Sequence, residues 1–314
     1  MAKPRILFMG TPEFAVPSLE ALIAHDCSIV GVVTQPDKPK GRGRKTASSA
    51  VKECAEKHAL PVYQPQRVRD ADFLSTFDAL APDMVVLVAF GQILPREIID
   101  GPPLGCINVH PSLLPSYRGA APINWAIING DTKTGVTIMY MSEEVDAGDM
   151  ILQREVPIES DDTYDDLSRR LSTLGATCLV DSIDDVQMGT ANRTAQNHSR
   201  ATFAPRITPE TGHINWNDSV VNIVNLIRGL SSIPGAYSFL RARKFKVFSA
   251  AAVQKKTSGE KAPGTIGQFM ESGLQITAGD GHVYLQDVQL EGKRRMAIDD
   301  FLRGFPLTDD DILD

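Results

Sequence analysis

The chain has 314 residues, is 42% hydrophobic and 23% charged, and carries a formal net charge of −7. That length exceeds a single small core and fits two domains, while the composition excludes disordered, fibrous and disulfide-framed classes. An acidic total argues against nucleic-acid binding by bulk charge, yet leaves room for local basic clusters, because only charges close to a docked phosphate act strongly through salt.

In chain order, the runs 5–9 (RILFM), 29–34 (IVGVVT), 84–89 (MVVLVA) and 105–110 (GCINVH) are almost continuously apolar. Strands covered on both faces read this way. Between the first two, residues 14–25 repeat apolar side chains at helical spacing, with Pro17 in the first turn, and 51–58 is a second short helix. The alternation predicts an α/β domain with a Rossmann-like, doubly wound parallel sheet, whose ligands bind beyond the carboxyl ends of its strands. Gly10-Thr11-Pro12-Glu13 after the first strand lacks the later glycines of GxGxxG, and its proline removes a backbone donor. NAD and FAD are therefore excluded. A strand at 135–141 and a helix at 167–180 complete a first domain spanning 1–189.

Residues 190–206 are polar, lack a hydrophobic period and hold three arginines without an acid, which reads as a basic linker. Beyond it, 219–230 is an amphipathic helix. The short β-like runs 236–240, 245–252, 264–269, 273–277 and 283–290 then predict a small OB-like β-barrel over 207–314. Four dispersed cysteines, Cys27, Cys54, Cys106 and Cys178, with no CxxC pair, read as free thiols in a reducing compartment, with no metal site. The longest apolar run, from Met84 to Phe90, is too short for a bilayer, and no signal-peptide pattern opens the chain. The expectation is a cytoplasmic monomer with no membrane contact.

The strongest chemical signal is Asn108-Val109-His110-Pro111-Ser112-Leu113-Leu114-Pro115. Residues two apart on a strand face one side, so Asn108 and His110 project together from the strand's end. An amide N–H can donate to the oxyanion of a tetrahedral intermediate, and an imidazole can move protons on and off an attacking amine. Asp146, in Asp146-Ala147-Gly148-Asp149, is the natural group to orient the imidazole, in a loop whose glycine permits a tight turn. On residue chemistry alone, acyl or one-carbon transfer stands beside the plainer reading of a hydrogen-bonded structural histidine and an ordinary turn.

The segment INVHPSLLPSYRGAAPI (107–123), with GVTIMYM (135–141) and DAGDMI (146–151) after it, resembles the formyltransferases that use 10-formyltetrahydrofolate. The resemblance implies catalytic roles for Asn108, His110 and Asp146, and folate contact by Ser112, Leu113, Leu114 and Pro115. The run VLVAFGQIL (86–94), with Phe90 and Gly91, would be the edge on which the pterin lies, and no metal is implied. TQPDKPKGRGRK (34–45), IRGLSSIPGAYSFL (227–240) and GKRRM…FLRGFPL (292–307) are similar to the branch of that family acting on methionyl-tRNA, over nearly the whole chain.

That likeness implies formyl transfer to the α-amine of methionyl initiator tRNA for translation initiation. A flexible basic loop with Lys40, Arg42, Arg44 and Lys45 would wedge into the end of the acceptor stem, while Arg206, Lys244, Lys246 and Arg303 would add phosphate contacts. Two positions depart from the family pattern: Ser116, where a basic residue is common, and Asn124, where Gln is usual. A formyltransferase or folate hydrolase acting on a small molecule, and a non-catalytic tRNA-binding protein, are the alternative readings.

Overall fold

The structure is a computed structural model that describes residues 3–40, 45–254, 261–308 and 310–314. The chain divides into two compact units. The first comprises Met1–Gly119, Thr134–Val156 and Ser168–Phe203; the second gathers Ala120–Lys133, Pro157–Leu167 and Ala204–Asp314.

The first unit is built on a seven-stranded sheet. In chain order its strands are β1 (Arg5–Gly10), β2 (Ser28–Val33), β3 (Val62–Tyr63), β4 (Met84–Val88), β5 (Cys106–His110), β6 (Lys133–Tyr140) and β7 (Met150–Pro157). Their order across the sheet is β7-β6-β5-β4-β1-β2-β3. The pairings β1–β2, β1–β4, β2–β3 and β4–β5 are parallel, and β5–β6 is antiparallel. The sheet is thus parallel where the apolar runs predict it and turns antiparallel towards one edge, a common arrangement in doubly wound folds. Burial explains the unbroken runs: Ile6, Leu7, Phe8, Met9, Met84, Val85 and Val86 are fully inaccessible. Strand order reverses between β1 and β4, which opens a crevice at their carboxyl ends.

The helices of this unit follow from local signals. Helix α1 (Val16–Ala24) starts with a proline in its first turn and buries Leu19 and Leu22. In α2 (Ala50–Lys57), the Ser49 hydroxyl caps the helix by accepting from the Lys52 N–H at 3.1 Å. Helix α3 (Ala71–Leu80), for which no expectation was drawn, buries Phe73 and Phe77, four apart on one face. After α4 (Arg96–Asp100), and past α5 (Pro122–Ile128), which belongs to the second unit, helix α6 runs from Tyr164 to Met188, its first turn within the second unit's bounds. It is longer than 167–180 because Ile183 and Val186 carry its buried stripe onward through an otherwise polar stretch.

In the second unit, α5 packs on α7 (Val220–Gly229), and Asn124 donates to the Gly229 carbonyl at 2.8 Å. The short amide at this position therefore has a structural partner. The strands β8 (Ala236–Leu240), β9 (Arg243–Gln254), β10 (Ile266–Met270), β11 (Gly273–Ala278) and β12 (Gly281–Leu290) form an antiparallel sheet in the order β8-β9-β12-β11-β10. The two-residue β13 (Met296–Ala297) pairs with β12, and α8 (Ile298–Gly304) follows it.

The edges of this sheet are bridged by the tail of the chain. Leu313 pairs with Leu240 on β8, and Ile312 pairs with Thr265 beside β10. The tail thereby satisfies backbone groups that open edges would expose, closing the sheet as a small barrel does. Its core joins Trp216, Ile223 and Ile227 to Phe245, Val247, Ile276, Val283, Leu285 and Phe301. The Trp216 ring N–H is not stranded there, since it donates to Ser238 Oγ at 3.0 Å.

Candidate active site

The end of β5 places Asn108 and His110 as the two-residue period requires, and the side chains stay buried at 6% and 4% exposure. Asp146, at 8%, enters from the loop between β6 and β7. Its Oδ2 accepts the Gly119 N–H at 2.8 Å and lies 3.7 Å from His110 Nδ1. Its Oδ1 is 3.5 Å from Asn108 Nδ2, the outer limit of a hydrogen bond. The His110 ring is held from its other side, with Nε2 3.0 Å from the Tyr117 carbonyl. A carbonyl can only accept, so this contact puts the imidazole proton on Nε2 and turns the Nδ1 lone pair towards Asp146.

The arrangement refines the sequence expectation. The hydrogen bond that reaches the ring is the one to the Tyr117 carbonyl, whereas the Asp146 carboxylate faces Nδ1 from 3.7 Å, beyond hydrogen-bond distance.

Two residues here adopt left-handed backbone conformations that side chains disfavour: Tyr117 at φ 61° and Asp146 at φ 50°. Such strain persists where surrounding bonds over-determine the geometry, and it costs on the order of 1–3 kcal/mol per residue. The glycine of the Asp146 loop has a different task from the tight turn expected of it. A Cβ on Gly148 would lie 2.0 Å from the Tyr140 carbonyl oxygen, so the requirement there is close approach, and the sharp turn falls on Asp146 itself.

The loop after His110 is clamped from β6 and β7. Thr137 Oγ1 donates to the Ser112 carbonyl at 2.7 Å and accepts from the Leu114 N–H at 3.2 Å. Gln153 Nε2 reaches both the Leu114 carbonyl, at 2.7 Å, and Thr137 Oγ1, at 2.9 Å. Ser112 is fully buried and donates to the Ser116 carbonyl at 2.6 Å, and Leu114 is buried too. Of the four residues expected to meet folate, Leu113 and Pro115 keep accessible surface, while Ser112 and Leu114 shape the loop. Ser116 serves this turn through its backbone.

One strand over, Phe90 is buried and its carbonyl is held by Thr11 Oγ1 and by Gln35 Nε2, both at 3.0 Å. Ala89 and Gly91 on either side are exposed and left-handed, at φ 46° and 84°. Sequence reasoning assigned no role to Thr11, Gln35, Thr137 or Gln153; the first three lie inside quoted segments, but the partners of all four in this site are 16 or more residues away and leave no local signal.

Residues 4–183 match the family described as Formyl transferase, and 206–306 match Formyl transferase, C-terminal domain. The chain belongs to the formyl transferase family. A methionyl-tRNA formyltransferase of Syntrophus aciditrophicus is 50% identical over 313 residues, covering 100% of both chains. Another, of Geotalea uraniireducens, is 44% identical over 100% of this chain and 99% of its own. Among solved structures, WlaRD, a sugar 3N-formyl transferase, has a TM-score of 0.67 at 19% identity over 94% of this chain and 100% of its own. HypX from Aquifex aeolicus, in complex with tetrahydrofolic acid, gives 0.64 at 19% identity over 96% of this chain. The chain spans 47% of HypX, and at this identity both likenesses show the fold.

This formyl transferase holds no activated thiol among the described residues. Burial raises the pKa of Cys27, Cys54, Cys106 and Cys178, so each favours the neutral form. One group of ligand types escaped the sequence reading: Glu20 on α1 with Cys54 and His58 on and just after α2, their ligand atoms within 4.8 Å of one another. A metal there would have to deprotonate a thiol that burial and the nearby Glu20 charge both keep protonated.

The candidate nucleic-acid residues are scattered. Lys40 and Lys45 pair across a short hairpin, Lys38–Lys40 with Lys45–Ala47, and Arg42 and Arg44 between them lie outside the described residues. Arg206 is exposed. Lys244 Nζ stands 3.6 Å over the Tyr237 ring, and Lys246 Nζ donates to the Pro234 carbonyl at 2.6 Å. Arg303 pairs with Asp299 and Asp300 on its own helix.

Across β8 and β9, Tyr237 pairs with Lys246 and Phe239 with Lys244, all half-buried, while Phe245 points into the core. His213 stacks on Tyr237 with ring centroids 5.2 Å apart. The outer face of this hairpin therefore interleaves aromatic rings with lysines.

Proposed function

We propose that this protein transfers the formyl group of 10-formyltetrahydrofolate to the α-amine of methionyl initiator tRNA, as a cytoplasmic monomer. The observation that carries the reading is the meeting of Asn108, His110 and Asp146 at the carboxyl end of β5, in a chain 50% identical end to end to a methionyl-tRNA formyltransferase. The neutral amine attacks the formyl carbon directly. A bond forms from carbon to the amine nitrogen, the bond to N10 breaks, and one proton passes from the amine to N10 of the departing tetrahydrofolate. Asn108 donates to the oxyanion, and His110 carries the proton while Asp146 stabilises its charged form. Four thiols with raised pKa values are consistent with transfer that forms no enzyme-bound acyl group.

Leu113, Pro115 and the exposed backbone around Gly91 would receive the folate. Lys244 and Lys246 among aromatic rings favour a nucleic-acid partner, because cations meet phosphates and rings meet bases. The domain reading follows the same division of labour: a catalytic part over 1–189, a basic linker over 190–206, and a tRNA-contacting part over 207–314. Transfer of label from 10-formyltetrahydrofolate, compared among methionyl initiator tRNA, methionyl elongator tRNA and free methionine, tests the proposal. Label confined to the initiator is expected. Folate deformylation without labelled RNA would replace it by a small-molecule or hydrolytic activity.

A further inference from the structure

We infer that Gln196, in the segment whose sequence reads as a basic linker, is a positioning residue for Asp146. The inference rests on the catalytic assignment proposed above. The side-chain amide of Gln196 is buried and uses all of its hydrogen-bonding capacity. Nε2 donates to the backbone carbonyls of Asp146 at 2.9 Å and Gly148 at 2.8 Å. Oε1 accepts from Arg118 Nε at 3.1 Å and from Arg118 Nη2 at 2.8 Å. Reversing the amide would set its oxygen against two carbonyls and its NH₂ against a guanidinium, so the orientation is unambiguous.

Arg118 is itself 2% exposed, with further contacts to Glu144 Oε1 and His198 Nδ1, both at 3.3 Å. A buried cation polarises the amide that grips the Asp146 loop, and a bond in a chain of this kind is stronger than an isolated one. The left-handed backbone at Asp146 is what such a grip has to hold.

The same segment braces the opposite side of the site. Thr202 accepts from the Tyr117 N–H with Oγ1 at 2.9 Å and from the Arg118 N–H with its carbonyl at 2.9 Å, and its own N–H reaches the Pro115 carbonyl at 3.2 Å. Tyr117 is the residue whose carbonyl holds His110 Nε2. Residues 196–202 thus tie both members of the His110–Asp146 pair, with Gln196 acting on the carboxylate and Thr202 on the imidazole's backbone anchor.

The test is a double-mutant cycle in single-turnover formyl transfer, at saturating methionyl-tRNA and 10-formyltetrahydrofolate, with Gln196→Glu, Asp146→Asn and both together. Glutamate keeps its acceptors on Arg118, so the buried cation stays paired, and it loses both donors to the Asp146 loop. Gln196→Glu should slow transfer about 10–100-fold, the cost of a displacement on the order of 1 Å, with KM for both substrates within about threefold of wild type. In the Asp146→Asn background it should add less than about threefold, because a residue acting through the carboxylate has nothing left to position.

A rate within about threefold of wild type for Gln196→Glu, or full additivity in the double variant, would overturn the inference. If Gln196→Glu yields no folded protein, Gln196→Met repeats the cycle, and failure of both to fold would assign Gln196 to stability alone. A near-wild-type rate for Asp146→Asn would instead remove the catalytic assignment on which the inference rests, a result readable from that single variant.

Discussion

The strand ends of the first unit and the outer face of the β8–β9 hairpin in the second both carry polar side chains, and they use them in opposite ways. Around Asn108, His110 and Asp146 the polar groups are buried, and most have two or more partners, with the backbone held in left-handed conformations at Tyr117 and Asp146. On the hairpin, Lys244 and Lys246 are half-exposed on long flexible stems, with one ring or one carbonyl each. Chemistry at a carbonyl carbon needs donors fixed before the charge develops, and that requires a dry, over-determined site. Attraction to a phosphate tolerates movement, acts through solvent and falls with salt. On the proposed reading, the strained backbone of one region serves precision, and the lysines of the other serve adaptable attraction.

The contrast is sharpest in the variants expected to do most damage. Asn108→Ala and His110→Ala should each lower kcat at least about 100-fold with little loss of tRNA affinity, measured by steady-state formyl transfer and by filter binding. Losses below about tenfold in both would dissolve the distinction between the regions.

Next in size is the clamp that closes the second unit. Arg241 Nε and Nη2 each meet an Asp311 oxygen at 2.6 Å, and Thr308 N–H adds 2.7 Å to Oδ2. This pairing holds the Asp311 carboxyl well below the usual carboxylate range. A depressed folded-state pKa contributes stability above the unfolded value of about 3.9, and that contribution is lost as pH falls through the folded value. Asp311→Asn should therefore cost about 1.5–3 kcal/mol at pH 7, with the gap to wild type closing below about pH 4 in denaturant melts. A gap that persists unchanged at pH 2 would mean the clamp works by shape and not by charge.

A smaller effect is expected at Thr137, which ties the Ser112 carbonyl to the Leu114 N–H. Thr137→Val should destabilise by about 1–2 kcal/mol and raise KM for 10-formyltetrahydrofolate more than it lowers kcat. The reverse pattern would move this loop from substrate reception into the chemistry. The smallest change per residue belongs to the hairpin. Lys244→Ala should leave kcat unaltered and reduce the salt slope of tRNA binding by about 1, read from affinities over a range of ionic strength. An unchanged slope would take Lys244 out of the phosphate contacts.

Much of this design is legible in linear order. Apolar runs mark β1, β2, β4 and β5 because strands covered on both faces must be apolar, and alternation with helical periods implies the parallel sheet. Asn108 and His110 stand out since their two-residue spacing and the strand's end are both local facts. Helix α3, the two-residue β3 and the strand β7 leave weaker traces: their short or partly polar sequences are settled by what they pack against. The antiparallel run of β6 is likewise unreadable locally, since strand direction in a sheet depends on where the connecting chain returns.

Composition, periodicity and motif by themselves determined the sheet, the second β unit, the family and the identity of the candidate catalytic side chains. Only the tertiary structure decided how those side chains are held. The closure of the small barrel by Leu313 and the grip of Gln196 on the Asp146 loop join residues remote from one another, and even the Tyr117 carbonyl on His110, seven residues away, depends on how the loop between them turns back. Local sequence encodes which backbone conformations and which faces are cheap. The pairing of a buried donor with a distant acceptor is encoded only by the packed chain, because desolvation makes each such pairing obligatory once the core has formed.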